Sequence, residues 1–423
     1  MIDEPLNAVY QEVSRCNKCG FCQPACPVFQ ITGLERAVAR GHNAHLRDII
    51  EGNLTMTEEM KAPLFECLLC RACVSSCFPA VNTPENVVAG REAYLRELGQ
   101  PRFMRFVFRR LLPDPSRLSR YIRLAAAAKN TGLSRVARTL GVLKWIGKDL
   151  EKAEDLLTRL PLYSLRGRAR LQRDSPGASE RFRVAYFVGC GIDHAVPEIG
   201  EAAIRVLASA GCSVQILDNV CCGLPAYGHG DLDAARHLAR KNLDILSGLQ
   251  ADVIVTECAS CSSFLKDYPR LLEGSGDAER AGGFSARVEG LSQWLEKIGF
   301  EPASSGLRGK LTFHDPCHLG RYQGMKDQPR ALLKTLPGVE FLEMREADWC
   351  CGAAGTYNIF HHDQSMRILD RKMDNLAHSG ADIVVTECPG CYIQLAYGVR
   401  RRGLPVSVLH LSQALDISPV EKP

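Results

Sequence analysis

The placement of nineteen cysteines in 423 residues restricts this chain more than any other feature. Eight fall between Cys16 and Cys77, none between Cys77 and Cys190, and eleven between Cys190 and Cys391. The start, MIDEPLNAVYQEVSRC, carries acids early and lacks the apolar core of a signal peptide. No stretch approaches the roughly 20 apolar residues of a spanning helix. A cytoplasmic protein is expected, and thiols this numerous in a reducing compartment read as metal ligands or redox groups rather than disulfides. A hydrophobic share of 46% and a charged share of 24% exclude extended disorder.

The last cysteine-rich region is duplicated. ADVIVTECASC at 251–261 returns as ADIVVTECPGC at 381–391, Cys221-Cys222-Gly223 as Cys350-Cys351-Gly352, and Cys190 as Cys317. In each copy short β-rich runs alternate with helical patterns: RVAYFVG, SVQILD and DVIVT in the first, and LTFHD, VEFLEM, DIVVT and PVSVLHL in the second. Such alternation predicts parallel sheets with helical crossovers, a Rossmann-like α/β fold in each copy. Cys190, Cys258, Cys317 and Cys388 each follow a predicted strand closely. Open α/β sheets build their sites beyond the carboxyl ends of strands, so one face of each copy should gather its thiols.

The first region has a different grammar. Cys16, Cys19, Cys22, Cys26 and Pro27 form C-x2-C-x2-C-x3-C-P, the spacing of bacterial two-cluster ferredoxins, and Cys67, Cys70, Cys73 and Cys77 repeat it with the proline one place late. Three close thiolates wrap three corners of a cubane while the fourth ligates the other cluster. The expected ligand sets are Cys16, Cys19, Cys22 and Cys77 for one [4Fe-4S] cubane, and Cys67, Cys70, Cys73 and Cys26 for the second. Paired zinc ribbons would want about two cysteines per knuckle, and fit poorly. GLERAVARGHNAHLRDIIEGN, between the runs, predicts an inserted helix. This module is expected to be α+β and ferredoxin-like.

Each repeat offers one cysteine, a Cys-Cys-Gly, and a C-x2-C, five thiols in all. Five exceed what tetrahedral zinc or a simple cubane uses. Adjacent cysteines point to opposite sides of an extended backbone, so a tight turn through Gly223 or Gly352 is needed to aim both at one centre.

This pattern resembles the CCG-domain family of iron-sulfur proteins, which includes heterodisulfide reductase catalytic subunits and the iron-sulfur subunits of glycolate and lactate dehydrogenases. HDPCHLGRYQG at 314–324, CCGAAGTYN at 350–358 and the two TEC-x2-C endings are most similar to the glycolate or lactate dehydrogenase subunit. The resemblance implies one or two further, noncubane [4Fe-4S] clusters, held by Cys190, Cys221, Cys222, Cys258 and Cys261 and by Cys317, Cys350, Cys351, Cys388 and Cys391. It also implies an electron-transfer role beside an FAD-binding dehydrogenase subunit, with an electron-transfer flavoprotein, a quinone or a membrane subunit as further partners. Complete five-cysteine motifs keep a second expectation open, a heterodisulfide reductase-like catalytic subunit. The implied division is 1–100 two-cluster module, 101–180 linker, 181–305 first and 306–423 second CCG domain.

Smaller features are read against plainer roles. Cys212 is expected as a buried small hydrophobe. His314 and His318 flank Cys317 and should cap or hydrogen-bond to backbone or sulfur, with proton transfer as the competing role; His361 and His362 are weighed likewise. Tyr322 and Tyr357 read as packing residues, and Asp315-Pro316 as a turn presenting Cys317. No G-x-G-x-x-G or G-x4-G-K-[ST] is present, so neither flavin nor nicotinamide is expected on this chain. Between Pro101 and Arg183 twenty Lys and Arg face seven acids. This predicts either a solvated helical linker or a docking face for an acidic subunit or an anionic membrane, the latter consistent with a peripheral position on the inner face of the cell membrane. No nucleic-acid motif accompanies the charge.

Overall fold

The computed structural model describes residues 4–134, 139, 154–171, 181–302 and 306–416. The QRDSPGASE segment at 172–180, read as a linker, lies outside them. Two four-stranded parallel sheets carry the repeats. The first has β1 (Phe182–Tyr186), β2 (Cys212–Ile216), β3 (Val253–Thr256) and β4 (Val288–Gly290) in the order β2-β1-β3-β4. The second repeats that order with β5 (Gly309–Phe313), β6 (Val339–Phe341), β7 (Ile383–Thr386) and β8 (Ser407–His410), as β6-β5-β7-β8. Register runs through Val184↔Val214 and Val184↔Val253 in the first sheet and Leu311↔Ile383 in the second. Fully buried β3 and β7 are runs of Val, Ile and Thr, as strands covered on both faces require. The predicted α/β architecture is therefore present in both copies.

Crossover to opposite sides of the first strand leaves a topological switch point between β1 and β3, and again between β5 and β7. Cys190 and Cys258 follow β1 and β3, and Cys317 and Cys388 follow β5 and β7, so both switch points are furnished with thiols. β4 was not legible in the sequence, because VEG is three residues long and carries a glutamate; its counterpart β8, in PVSVLHL, was.

The two copies interlock. The helix after β8 (Leu411–Leu415) packs on helix Pro197–Ser209 of the first copy, where Ser412 Oγ donates to Ile199 O at 2.9 Å and Arg205 pairs with Asp416 at 2.6 Å. Reciprocally, the helix after β4 (Leu291–Lys297) packs on helix Asp327–Lys334 of the second copy. One apolar core thus runs from Val184 to Leu415.

The first module consists of short helices and turns around its cysteines, with Ala39–Ile50 as the expected insertion helix, burying Leu46, Ile49 and Ile50. Helix Thr83–Leu98 closes it, opened by Pro84 in its first turn. Arg91 of this helix is buried and donates to Leu64 O at 3.0 Å, to Cys67 O at 2.7 Å and to Gly228 O, tying the second cysteine run to the first repeat. Val28, Leu68 and Cys70 pack with Trp349, Cys350 and Ile368, joining the module to the second repeat.

Candidate metal centre

The first module winds its cysteines inward by backbone conformation. Both runs place left-handed residues two and four positions after the first cysteine: Lys18 and Gly20 in one, Leu69 and Arg71 in the other. Such turns bend the chain around a central object. Arg71 adopts the conformation that glycine supplies in the first run, at a cost of roughly 1 kcal/mol, while its guanidinium lies 4.8 Å from the Tyr322 ring centroid. Cys16, Cys19, Cys22, Cys73 and Cys77 line one small cavity. Cys26, Cys67, Cys70 and Cys73 lie close enough to raise one another's pKa, after burial, which is the larger cause; Cys26 is pushed up to about 12. Cys19 is exposed, whereas Cys70 is buried.

In the repeats the turns demanded by adjacent cysteines are present. Gly223 stands at φ +101° and Gly352 at φ +87°. Cys190 and Cys221 Sγ are 3.8 Å apart, and Cys222 is within hydrogen-bond reach of Cys221 and Cys261. In the second copy Cys351 and Cys391 Sγ are 3.3 Å apart, Cys350 reaches Cys317 and Cys351, and Cys388 reaches Cys391. All ten thiols therefore converge in two groups of five. The groups also touch one another, since Cys258 lies within reach of Cys388.

Proximity decides which thiols ionise. Cys222 is pulled down to about 5, first by the hydrogen bond from Cys221 and then by that from Cys261, against the opposing effect of burial. Neighbouring thiols likewise hold Cys350 and Cys388 well below the ordinary thiol value. Hydrogen-bonded or charged neighbouring thiols, together with burial, raise the other seven, Cys190, Cys221, Cys258, Cys261, Cys317, Cys351 and Cys391. Thiolates are the metal-binding form of cysteine, so each group holds protons that binding of a thiophilic centre would release. Lys372, whose burial lowers its pKa to about 8, adds a cation at neutral pH beside Cys350 and Cys351, anchored at 2.6 Å on Glu346 O and 3.1 Å on Ala347 O. Its counterpart 130 residues earlier is neutral Asn242, which donates to Cys221 O at 3.1 Å.

Both groups border one cavity of about 1690 Å³ between the first module and the two repeats. His314 lies on its wall with both ring nitrogens buried and unpartnered, its coordinating atom within 4.8 Å of Cys351 and Cys391 Sγ. Burial lowers its pKa to about 3, so the ring is neutral and is a candidate ligand or donor to sulfur. His318 Nδ1 is 3.5 Å from Cys317 Sγ and 3.4 Å from Ser260 Oγ, and Ser260 Oγ is 3.4 Å from Cys388 Sγ. Tyr322 donates to Leu69 O at 2.6 Å while stacked on His318, and Tyr357 donates to Gln364 Oε1 at 2.5 Å while stacked on His361. His362 Nδ1 is 3.2 Å from Asn358 O. Cys212 is buried in the core. Asp315 is clamped by Arg330 at 2.7 and 2.8 Å, and Pro316 precedes the helix Cys317–Gln323.

Comparison with known proteins agrees with this arrangement. Residues 12–80 match the 4Fe-4S dicluster domain, 184–266 and 311–396 the cysteine-rich CCG domain, and 99–157 the linker region of the glycolate oxidase iron-sulfur subunit. The probable glycolate oxidase iron-sulfur subunit of Bacillus subtilis (strain 168) is 31% identical over 417 residues, spanning 96% of this chain and 93% of that one. The chain belongs to the glycolate oxidase iron-sulfur subunit family. Lactate utilization protein A of Geobacillus kaustophilus is 31% identical over 55% of this chain and 98% of its own. A fumarate reductase (CoM/CoB) chain of Methanothermobacter marburgensis is 33% identical over 58% of this chain and 48% of its own.

As a member of this family the chain is an oxidoreductase subunit that carries iron-sulfur clusters. No helix among its described residues is long and apolar enough to cross a membrane. Sequence reasoning missed Arg91, Lys372 and Ser260, whose neighbours come from distant segments. Arg321, inside the HLGRYQG string, likewise carries no sequence signal of its role, and its Nη1 is 3.5 Å from Cys70 O.

Proposed function

We propose that this chain is the electron-carrying subunit of a flavin-dependent glycolate or D-lactate dehydrogenase complex. A partner FAD-binding subunit oxidises the 2-hydroxy acid, and this chain passes the electrons singly to a quinone, an electron-transfer flavoprotein or another carrier on the cytoplasmic side. In this reading Cys16, Cys19, Cys22 and Cys77 hold one cubane [4Fe-4S] cluster, and Cys67, Cys70, Cys73 and Cys26 the other. Cys190, Cys221, Cys222, Cys258 and Cys261, and Cys317, Cys350, Cys351, Cys388 and Cys391, hold two noncubane clusters, with the chain divided near residues 100, 180 and 305. Clusters so held supply one-electron storage at potentials set by burial, charge and hydrogen bonds to sulfur.

The observation that carries this reading is the seam between Cys70 and Cys350. The two share a buried core with Cys26 and Cys317 at its edge, and the Cys350 charge adds to burial in raising the Cys70 thiol. The protein thus offers a short internal path from the ferredoxin thiols to the repeats, and from there across Cys258 and Cys388. At the opposite end Cys19 is exposed, and the first module also exposes Phe21 and Phe78, 62% and 90% accessible, where a donor could make contact. The test is anaerobic co-purification with the neighbouring flavoprotein. Glycolate or lactate should reduce the clusters, seen by EPR, only when that flavoprotein is present; reduction of the isolated chain by the hydroxy acid would refute the reading.

One observation favours a second reading, disulfide reduction at the repeats: both five-thiol groups are complete, and nine of their ten thiols, all but Cys221, line a single cavity. A new paramagnetic species on adding a thiol or disulfide to the isolated chain would support it.

A further inference from the structure

We infer that the segment 102–124 is a docking surface for an anionic lipid bilayer. Between Arg102 and Ser134 the chain carries eight Lys and Arg and a single acid, Asp114. Helix Arg102–Phe106, the π-helical turn Val107–Leu111 and helix Pro115–Asn130 bury Met104, Phe108, Leu111 and Leu112. Arg109 pairs with Asp231 at 2.9 Å and Lys241 Nζ donates to Pro113 O at 3.0 Å, so this surface is fixed in orientation on the first repeat.

What remains outside is unusual for a solvated linker. Phe103 is 68% accessible, Leu124 65%, Tyr121 48% and Phe106 39%. The Phe106 and Tyr121 rings touch, with centroids 5.9 Å apart, which joins the two helices into one aromatic ridge. Arg102, Arg105, Arg110, Arg120 and Arg123, on the same two helices and the turn between them, are exposed, and none is paired with a carboxylate among the described residues.

Charge complementarity selects the occupant. An amphipathic surface that interleaves Arg with Phe, Tyr and Leu places rings at the headgroup boundary and guanidinium groups among anionic phosphates. A partner protein would match such cations with specific carboxylates and cover the rings in pockets, whereas a bilayer needs only their density. The position is also consequential, since Phe103 and Met104 belong to the wall of the thiol-lined cavity. Bilayer contact would set that cavity's rim against the lipid phase. The inference does not depend on the electron-transfer reading, because binding is measured without turnover.

The experiment is co-sedimentation of the anaerobically prepared full chain with phosphatidylcholine vesicles, with and without phosphatidylglycerol, at about 0.1 M salt. Binding is expected only to the anionic vesicles. R102Q/R105Q/R120Q should weaken it roughly hundredfold, about fivefold per charge removed. F103S/L124S should weaken it at unchanged charge, and iron content should stay at the unsubstituted level in both. Absence of binding, equal binding to neutral vesicles, or indifference to both variants would overturn the inference. So would retention of the same arginines by an acidic protein partner while vesicles are ignored, which would give the surface to that partner.

Discussion

Gly352→Ala is expected to dismantle the second thiol group while leaving the ferredoxin module loaded. At φ +87° an alanine pays roughly 1–2 kcal/mol for the left-handed backbone. Its Cβ would also lie 2.8 Å from Ser365 O and 3.4 Å from Ile368 Cβ, in the helix His362–Ser379 that backs Cys350 and Cys351. A backbone oxygen cannot swing aside, so overpacking adds about 1–3 kcal/mol. Gly355 is the control: it stands at φ +67° with nothing within 4 Å of an added Cβ, so Gly355→Ala should cost only the backbone share. Anaerobic iron and sulfide analysis, denaturant unfolding and EPR would be compared for the two variants. The expected outcome is loss of about one cluster's four irons in G352A, a midpoint clearly below that of G355A, and an unchanged ferredoxin signal. If the two variants kept equal iron and equal stability, the turn would not be what aims Cys350 and Cys351.

Arg91→Met leaves three carbonyls without their donor and should cost about 3–5 kcal/mol, read as proteolytic release of the first module; Arg91→Lys should rescue poorly because one ammonium cannot reproduce the fork. Lys372→Met removes a buried cation beside the second thiol group. The cation favours the more negative, reduced state, so the potential of that centre should fall by on the order of 50 mV in a redox titration, with the first group, beside Asn242, unmoved. Buried His42 and His410 have pKa values lowered to about 3 and about 4, mainly by desolvation. Their unfolded forms take up protons first as pH falls through about 6.5, so each contributes a loss of about 1 kcal/mol between pH 7 and 5.5; His42→Leu should make the pH dependence of the unfolding midpoint shallower.

Much of this architecture could be read from residues alone because it rests on local rules. The spacing of Cys16 through Cys77 encodes turns, and the alternation of apolar runs encodes the sheets. The repeat also announces that whatever Cys190 does, Cys317 does too. Long-range geometry stayed hidden for physical reasons. That Cys258 would meet Cys388 depends on how two sheets interlock through terminal helices such as Leu411–Leu415, and no periodicity records an inter-domain packing. Arg91 reads as one more surface charge on the helix Thr83–Leu98 until the fold brings it three acceptors, none of them on that helix. The aromatic ridge at Phe106 and Tyr121 was likewise visible only as charge, since exposure of an apolar residue is decided by what packs elsewhere.

Cages of eighteen thiols around iron and sulfide are central to the proposed function. Metal and acid-labile sulfide analysis of anaerobically prepared chain tests them most directly. About sixteen irons and a matching amount of sulfide per chain, for four four-iron clusters, is the predicted result. Zinc in their place, or fewer than about eight irons, too few even for the two ferredoxin cubanes, would contradict it.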